Sequence, residues 1–145
     1  MTDVQIFQSQ DDGDIRLSNG QVVTDDGLSS AFYLSLFGGN DDDDGTEATL
    51  AKQWWGNLIE GEPTRRYRSR TQAVLRGLPA TTANLRKIEA AANEDLAWAT
   101  ATGLATFVGA RARMPALRTV QLDVFAEIDG EIVPFQFPPI PWGPQ

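Results

Sequence analysis

The stretch Thr82 to Gly103, TANLRKIEAAANEDLAWATATG, constrains this chain more than any other. Leu85, Ile88, Ala92, Leu96 and Ala99 recur at three- and four-residue spacing, while Arg86, Lys87, Glu94 and Asp95 fall elsewhere. That periodicity gives a helix one apolar face that needs a core to cover. Thr81 or Thr82 is placed to cap its first turn, and Gly103 to end it in the left-handed conformation. At 1.5 Å per residue such a helix is about 30 Å long, the width of a small domain. After Gly103 the period changes to two. Leu104, Thr106, Val108, Ala110 and Ala112 share one face of a strand, and Val120, Leu122, Val124, Ala126 and Ile128 share one face of the next. Met114-Pro115 and Asp129-Gly130 supply the turns, and Glu131 to Phe137 returns as a third strand, with Pro134 assigning it to an edge. The expected fold is α+β: one long amphipathic helix on a three-stranded antiparallel meander, with an N-terminal hairpin and short helices. The sheet would bury one face and leave the other open.

The 145 residues fit one domain, 1–145, able to bury roughly two-thirds of its unfolded surface without staples. The chain has neither cysteine nor histidine. This excludes Cys–His and Ser–His chemistry and removes the commonest zinc ligand. The N-terminus has neither a basic start nor a long apolar run, so a soluble chain without a signal peptide or membrane span is expected.

The net charge of −8 is unevenly distributed. Met1 to Glu62 holds thirteen acidic residues against Arg16 and Lys52, a net −11; Pro63 to Gln145 holds seven acidic against ten basic, a net +3. Such a two-ended molecule suits head-to-tail packing of copies or docking on a differently charged neighbour, and its acidity argues against nucleic acid.

Within Asp14 to Thr24, Asn19-Gly20 specifies a tight hairpin turn. Asp25 or Asp26 is placed to cap a short helix, Leu28 to Phe37, with Leu28, Ala31, Phe32, Ser35 and Leu36 on its buried face. Residues 38–47 form an acidic loop. Asn40, Asp42, Asp44 and Gly45 imitate the start of a calcium loop, but position twelve is Ala51 where a bidentate carboxylate is required, so neither metal nor cofactor is assigned. Trp54 and Trp55 cannot both enter one core from a regular element, which leaves one to face a loop or a partner. Arg65, Arg66, Arg68 and Arg70 surround Tyr67, a cluster suited to pairing with protein carboxylates. Thr71 to Leu78 reads as a short helix. Residues 138–145, FPPIPWGPQ from Phe137 onward, are too proline-rich for helix or sheet interior and read as an extended arm carrying Ile140 and Trp142. That arm either folds back on its own molecule or docks into a neighbour.

The order of these parts resembles the Mu-like phage baseplate protein family, itself similar to the sheath-initiator, or baseplate wedge, proteins of contractile-tailed phages. The resemblance runs approximately from Gly13 to Phe137 and rests on Asp26-Gly27-Leu28, Trp54-Trp55-Gly56, Ser69-Arg70 and Trp98. This chain has Arg68 where the family commonly has glycine, and Thr71-Gln72 where it commonly has an apolar pair. The resemblance implies a non-enzymatic virion protein of the tail baseplate, made in the host cytoplasm. It would sit in a ring with copies of itself around the tail tube and join the wedge proteins to the first ring of tail sheath protein. Expected interface residues are Trp54, Trp55, Glu62, Arg65, Arg66, Arg68, Arg70, Val120, Leu122, Val124, Phe135, Phe137 and Trp142, with sheath strands added to the edge of the meander. Two other classes stay open: a lysozyme-like glycoside hydrolase using Glu60 and Glu62 beside the tryptophans, since some relatives carry that label, and a cytoplasmic adaptor.

Overall fold

The computed structural model describes residues 3–9, 12–15, 17–22, 24–25, 27–38, 59, 61–62, 67 and 69–142. The chain is mixed α+β. Its centre is α3, Thr82–Leu96, which buries Ile88, Ala91, Ala92 and Leu96 and exposes Arg86, Lys87 and Glu94. Thr81 is extended and its hydroxyl accepts the Asn84 N–H at 3.3 Å, satisfying one of the donors that a helix start leaves free. The helix does not run unbroken to Gly103 as expected. The Ala97 N–H turns to the Glu94 carbonyl, three residues back, and a separate four-residue helix follows, α4, Trp98–Ala101. Gly103, at φ 77°, reverses the chain, and the Ala105 N–H closes the return on the Ala99 carbonyl.

The main sheet follows. β7, Phe107–Ala116, pairs antiparallel with β8, Thr119–Ile128, which pairs antiparallel with β9, Glu131–Gln136. A fourth strand, β10, Ile140–Pro141, lies on the same side of β8 as β9 and pairs with Thr119 and Val120. The expected three-stranded meander is therefore corrected to a four-stranded sheet. The proline-rich segment folds back on its own molecule: Ile140 and Trp142 are buried, and the Trp142 N–H extends the ladder to the Arg118 carbonyl. A second correction concerns the first turn. Met114 and Pro115 stay in β7 as an irregularity between Arg113 and Ala116, and the reversal falls at Leu117-Arg118, with Arg118 at φ 55°. Asp129-Gly130 turns as expected, both residues at positive φ.

Val108, Ala110 and Ala112 of β7, Val120, Leu122, Val124 and Ala126 of β8, and Phe135 of β9 face the helices. α1, Leu28–Phe37, completes the core and is buried nearly all round, Tyr33 and Leu34 included, so it has no single apolar face. Phe32 meets Phe135 edge-on with ring centres 4.8 Å apart, and Phe137 lies against Tyr33 and Phe37. α1 is entered through Gly27 at φ 79°, which has no side chain to cap the helix; of the two aspartates expected to do so, Asp25 belongs to a strand and Asp26 lies outside the described residues. α2, Arg70–Gly77, packs against α1 and α3.

The N-terminal segment is richer in strands than expected. The turn at Asn19-Gly20, φ 52° and 76°, joins β4, Leu17–Ser18, to β5, Gln21–Val22. Two further antiparallel pairs surround it: β2, Ile6–Ser9, with β3, Asp12–Ile15, and β1, Asp3–Val4, with β6, Thr24–Asp25.

Trp142 is 2% exposed, yet among the described residues its indole N–H has no hydrogen-bond partner. Its role is therefore packing. Trp142→Phe should cost less than about 1.5 kcal/mol in urea unfolding, and Trp142→Ala about 3–5 kcal/mol. Equal losses for the two variants would show that the indole N–H matters.

Candidate interaction site

Three sequence features converge where α1, α2 and α3 meet. Ser69 precedes α2 but does not cap it; its fully buried hydroxyl donates to the Ser35 and Leu34 carbonyls near the end of α1, at 3.0 and 3.3 Å. The Ser35 hydroxyl donates to the Ala31 carbonyl and accepts the Trp98 indole N–H, both at 2.8 Å. The start of α2 is capped from another helix. Asp95 accepts the Arg70 N–H at 3.0 Å, the Thr71 N–H at 2.8 Å and the Thr71 hydroxyl at 2.6 Å. Arg70 also pairs with Glu94 at 3.5 Å across an exposed surface. The Ser69-Arg70 pair thus has a structural explanation, and the polar Thr71 is matched by Asp95. Asp95 itself reads in sequence as part of a solvated face. Its partners lie more than twenty residues away, and no local spacing announces them.

Burial raises the Asp95 carboxyl from its ordinary 3.8 to about 6, and the neighbouring Glu94 adds to this; the bonds from Thr71 and Arg70 oppose it. The folded chain therefore binds this proton more tightly than the unfolded chain. The contribution to stability is fully present below the unfolded value and is lost as pH rises through about 6. Wild type should lose stability relative to Asp95→Asn between those limits, and parallel pH profiles would contradict this. Thr71→Val should cost about 1–2 kcal/mol and move the Asp95 pKa further up, as followed by NMR titration.

α3 also controls an edge of the sheet. Asn93 accepts the Ala110 N–H at 3.0 Å and donates to the Ala110 carbonyl at 3.3 Å, while Glu89 accepts the Ala112 N–H at 3.1 Å. These backbone groups point away from β8, so the helix stands where another strand would pair, and it closes the middle of that edge. The alternation of ladder bonds across β8 then turns the backbone of Ile132, Pro134 and Gln136 outward from β9. Pro134 lacks an N–H, which leaves Ile132 and Gln136 as the donors of this edge. Among the described residues no backbone hydrogen bond covers it.

Beside that edge lies the sheet face turned away from the helices. Phe107, Phe125 and Ile132 are exposed there, Phe107 to 56% and Ile132 to 71%. Gly109 makes room for Phe107: an added Cβ would come within 2.9 Å of the ring.

The residues expected to form an interface divide into three groups. Trp54, Trp55, Arg65, Arg66 and Arg68 lie outside the described residues, as do Glu60 and the aspartates of the acidic loop. Glu62 and Arg70 are exposed. Val120, Leu122, Val124, Phe137 and Trp142 are buried and Phe135 is partly so, packed on Phe32; these six serve the core, which corrects their assignment to a contact surface. They read as surface because half of an open sheet is exposed, and period alone does not say which half. Sequence reasoning missed Phe107, Phe125 and Ile132, whose alternation with the buried set was the available signal. No protein-family model, curated protein or solved structure matches this chain.

Asn93→Ala should cost about 1–3 kcal/mol by leaving two β7 backbone groups unpaired. Hydrogen exchange should lose protection at the Ala110 amide while the Ala112 amide, held by Glu89, keeps it. Unchanged exchange at Ala110 would show that the edge is closed by something other than Asn93.

Proposed function

We propose that this protein is a structural component of a contractile phage tail baseplate, joining wedge proteins to the first ring of sheath. The family resemblance supplies that class. The observation that carries the docking mechanism is the asymmetry of the sheet: the β7 edge is closed by Asn93 and Glu89, while among the described residues the β9 edge is uncovered, with Ile132 exposed on β9 and Phe125 and Phe107 exposed behind it on β8 and β7. An extended segment of sheath protein adds to β9, exchanging backbone hydrogen bonds with Ile132 and Gln136 and laying alternate side chains over the apolar outer face. Pro134 limits the pairing, since a partner carbonyl opposite it finds no donor. The incoming strand is therefore short, or bulged at that point.

Contacts with the wedge proteins are assigned to Glu62 and Arg70 and, outside the described residues, to Trp54, Trp55, Arg65, Arg66 and Arg68. Copies of the chain stand in a ring around the tube, in the virion and not in an enzymatic role.

Ile132→Pro with Gln136→Pro tests the edge. Both amides face away from β8, so the substitutions spare the sheet's own ladder and should leave the unfolding midpoint of the isolated protein nearly unchanged. Sheath assembly on purified baseplates should fall at least about tenfold, the loss of two backbone hydrogen bonds at roughly 1 kcal/mol each. Normal sheath assembly by the double variant would remove β9 as the docking edge.

A further inference from the structure

From Ile132 to Gln136 the outer strand of the sheet reads Ile-Val-Pro-Phe-Gln and carries no charge. Ile132 is exposed, and Val133 and Phe135 are only partly buried. A short, uncharged, β-prone stretch on a free edge is a template for another copy of itself, and folded proteins blunt such edges with charges, bulges, proline or a covering element. The β7 edge has its cover in Asn93 and Glu89. The other side has none among the described residues. Nor is β9 bulged, since its register against β8 runs without a shift from Asp123 to Ile128.

This side is guarded by proline instead. β9 and β10 lie end to end along β8, and Pro138, Pro139 and Pro141 bring no N–H to the second half of that edge. The Trp142 N–H bonds inward to the Arg118 carbonyl, which turns the backbone of Pro141 outward. Pro134 lies inside the regular ladder. Its backbone also faces outward, midway between the outward-facing Ile132 and Gln136, so its missing N–H costs the pairing with β8 nothing.

The position of Pro134 matters most for a second copy. When β9 pairs antiparallel with its own copy about a two-fold axis, the register that uses the whole segment sets Ile132 against Gln136 of the second copy, Val133 against its Phe135, and Pro134 against its Pro134. The Ile–Gln pairs exchange both backbone bonds, the Val–Phe pairs are apolar, and no like charges meet. Only the axis is defective. There neither proline offers an N–H, and each carbonyl faces the other's ring without a donor. Sliding the copies to part the prolines sets Pro134 against Ile132 and carries Gln136 past the strand to Gly130, or sets Pro134 against Gln136 and Ile132 against Pro138. A foreign strand with an ordinary residue opposite Pro134 donates to its carbonyl and loses a single bond where a second copy loses both. We infer that Pro134 denies the β9 edge to a second copy and so reserves it for a strand from another protein. The denial follows from this chain alone, and the reservation rests on the docking reading above. Copies standing in a ring then keep their β9 edges free.

Pro134→Thr in the full chain restores an outward N–H without disturbing the ladder to β8. In sedimentation equilibrium its self-association should exceed that of the wild type by at least about tenfold, the effect of two regained backbone bonds. The Ile132 and Gln136 amides should gain hydrogen-exchange protection as its concentration rises, and those of the wild type should not. Adding Gln136→Pro to Pro134→Thr takes a donor from the edge again and should return association to the wild-type level. Pro134→Ala restores the same N–H with a smaller side chain, should the first variant unfold by circular dichroism. A folded variant that associates no more than the wild type, a dimer whose Ile132 and Gln136 amides stay unprotected, or one that Gln136→Pro does not dissolve would each overturn the inference. The measurement needs no sheath protein, so its failure is distinct from a failure of the docking reading.

Discussion

The rest of the structure depends on side chains of one helix reaching backbone that is not their own. α3 contributes Ile88, Ala92 and Leu96 to the core, as an apolar face would. Its polar residues hold the neighbours in place. Asn93 and Glu89 fix the helix to the β7 backbone, and Asp95 fixes the start of α2. Hydrophobic burial is non-directional and would tolerate sliding of helix on sheet, whereas these bonds are lost if the helix shifts by a fraction of a turn. The position of α3 thus sets the position of α2, and α2 in turn brings Ser69 against α1.

The same bonds decide which part of the surface remains available. An antiparallel sheet with one covered face has two edges that can recruit foreign strands. Here the helix answers the β7 edge with side-chain amide and carboxylate groups, and Pro134 interrupts the other edge without closing it. An apolar outer face next to a partly open edge is an arrangement that a strand from another protein can complete.

What was legible in the sequence follows from the range of the interactions involved. Local signals performed well: Asn19-Gly20 and Asp129-Gly130 turn where positive φ is needed, and Thr81 caps α3. Alternation located the buried face of β7 and β8. Signals that depend on distant partners did not. The kink at Ala97 accompanies the bond from Trp98 to Ser35, sixty-three residues away, and β10 forms because Ile140 and Trp142 find the core beside Val120. The turn moved from Met114-Pro115 to Leu117-Arg118 because β8 pairs through to Thr119, extending the hairpin past the proline. The site was less legible than the fold. An exposed phenylalanine and a buried one look alike in sequence, so nothing local separates Phe107 and Phe125 from the buried Phe137 and Trp142.

The most direct measurement is a cryo-EM map of intact contractile tail particles assembled in cells that make this protein. The account predicts density for the α3-covered sheet where tube, wedge and sheath meet, with a foreign strand beside β9 and α3 still bonded to β7. A tail without this chain, or a strand inserted beside β7 with Asn93 and Glu89 displaced, would contradict it.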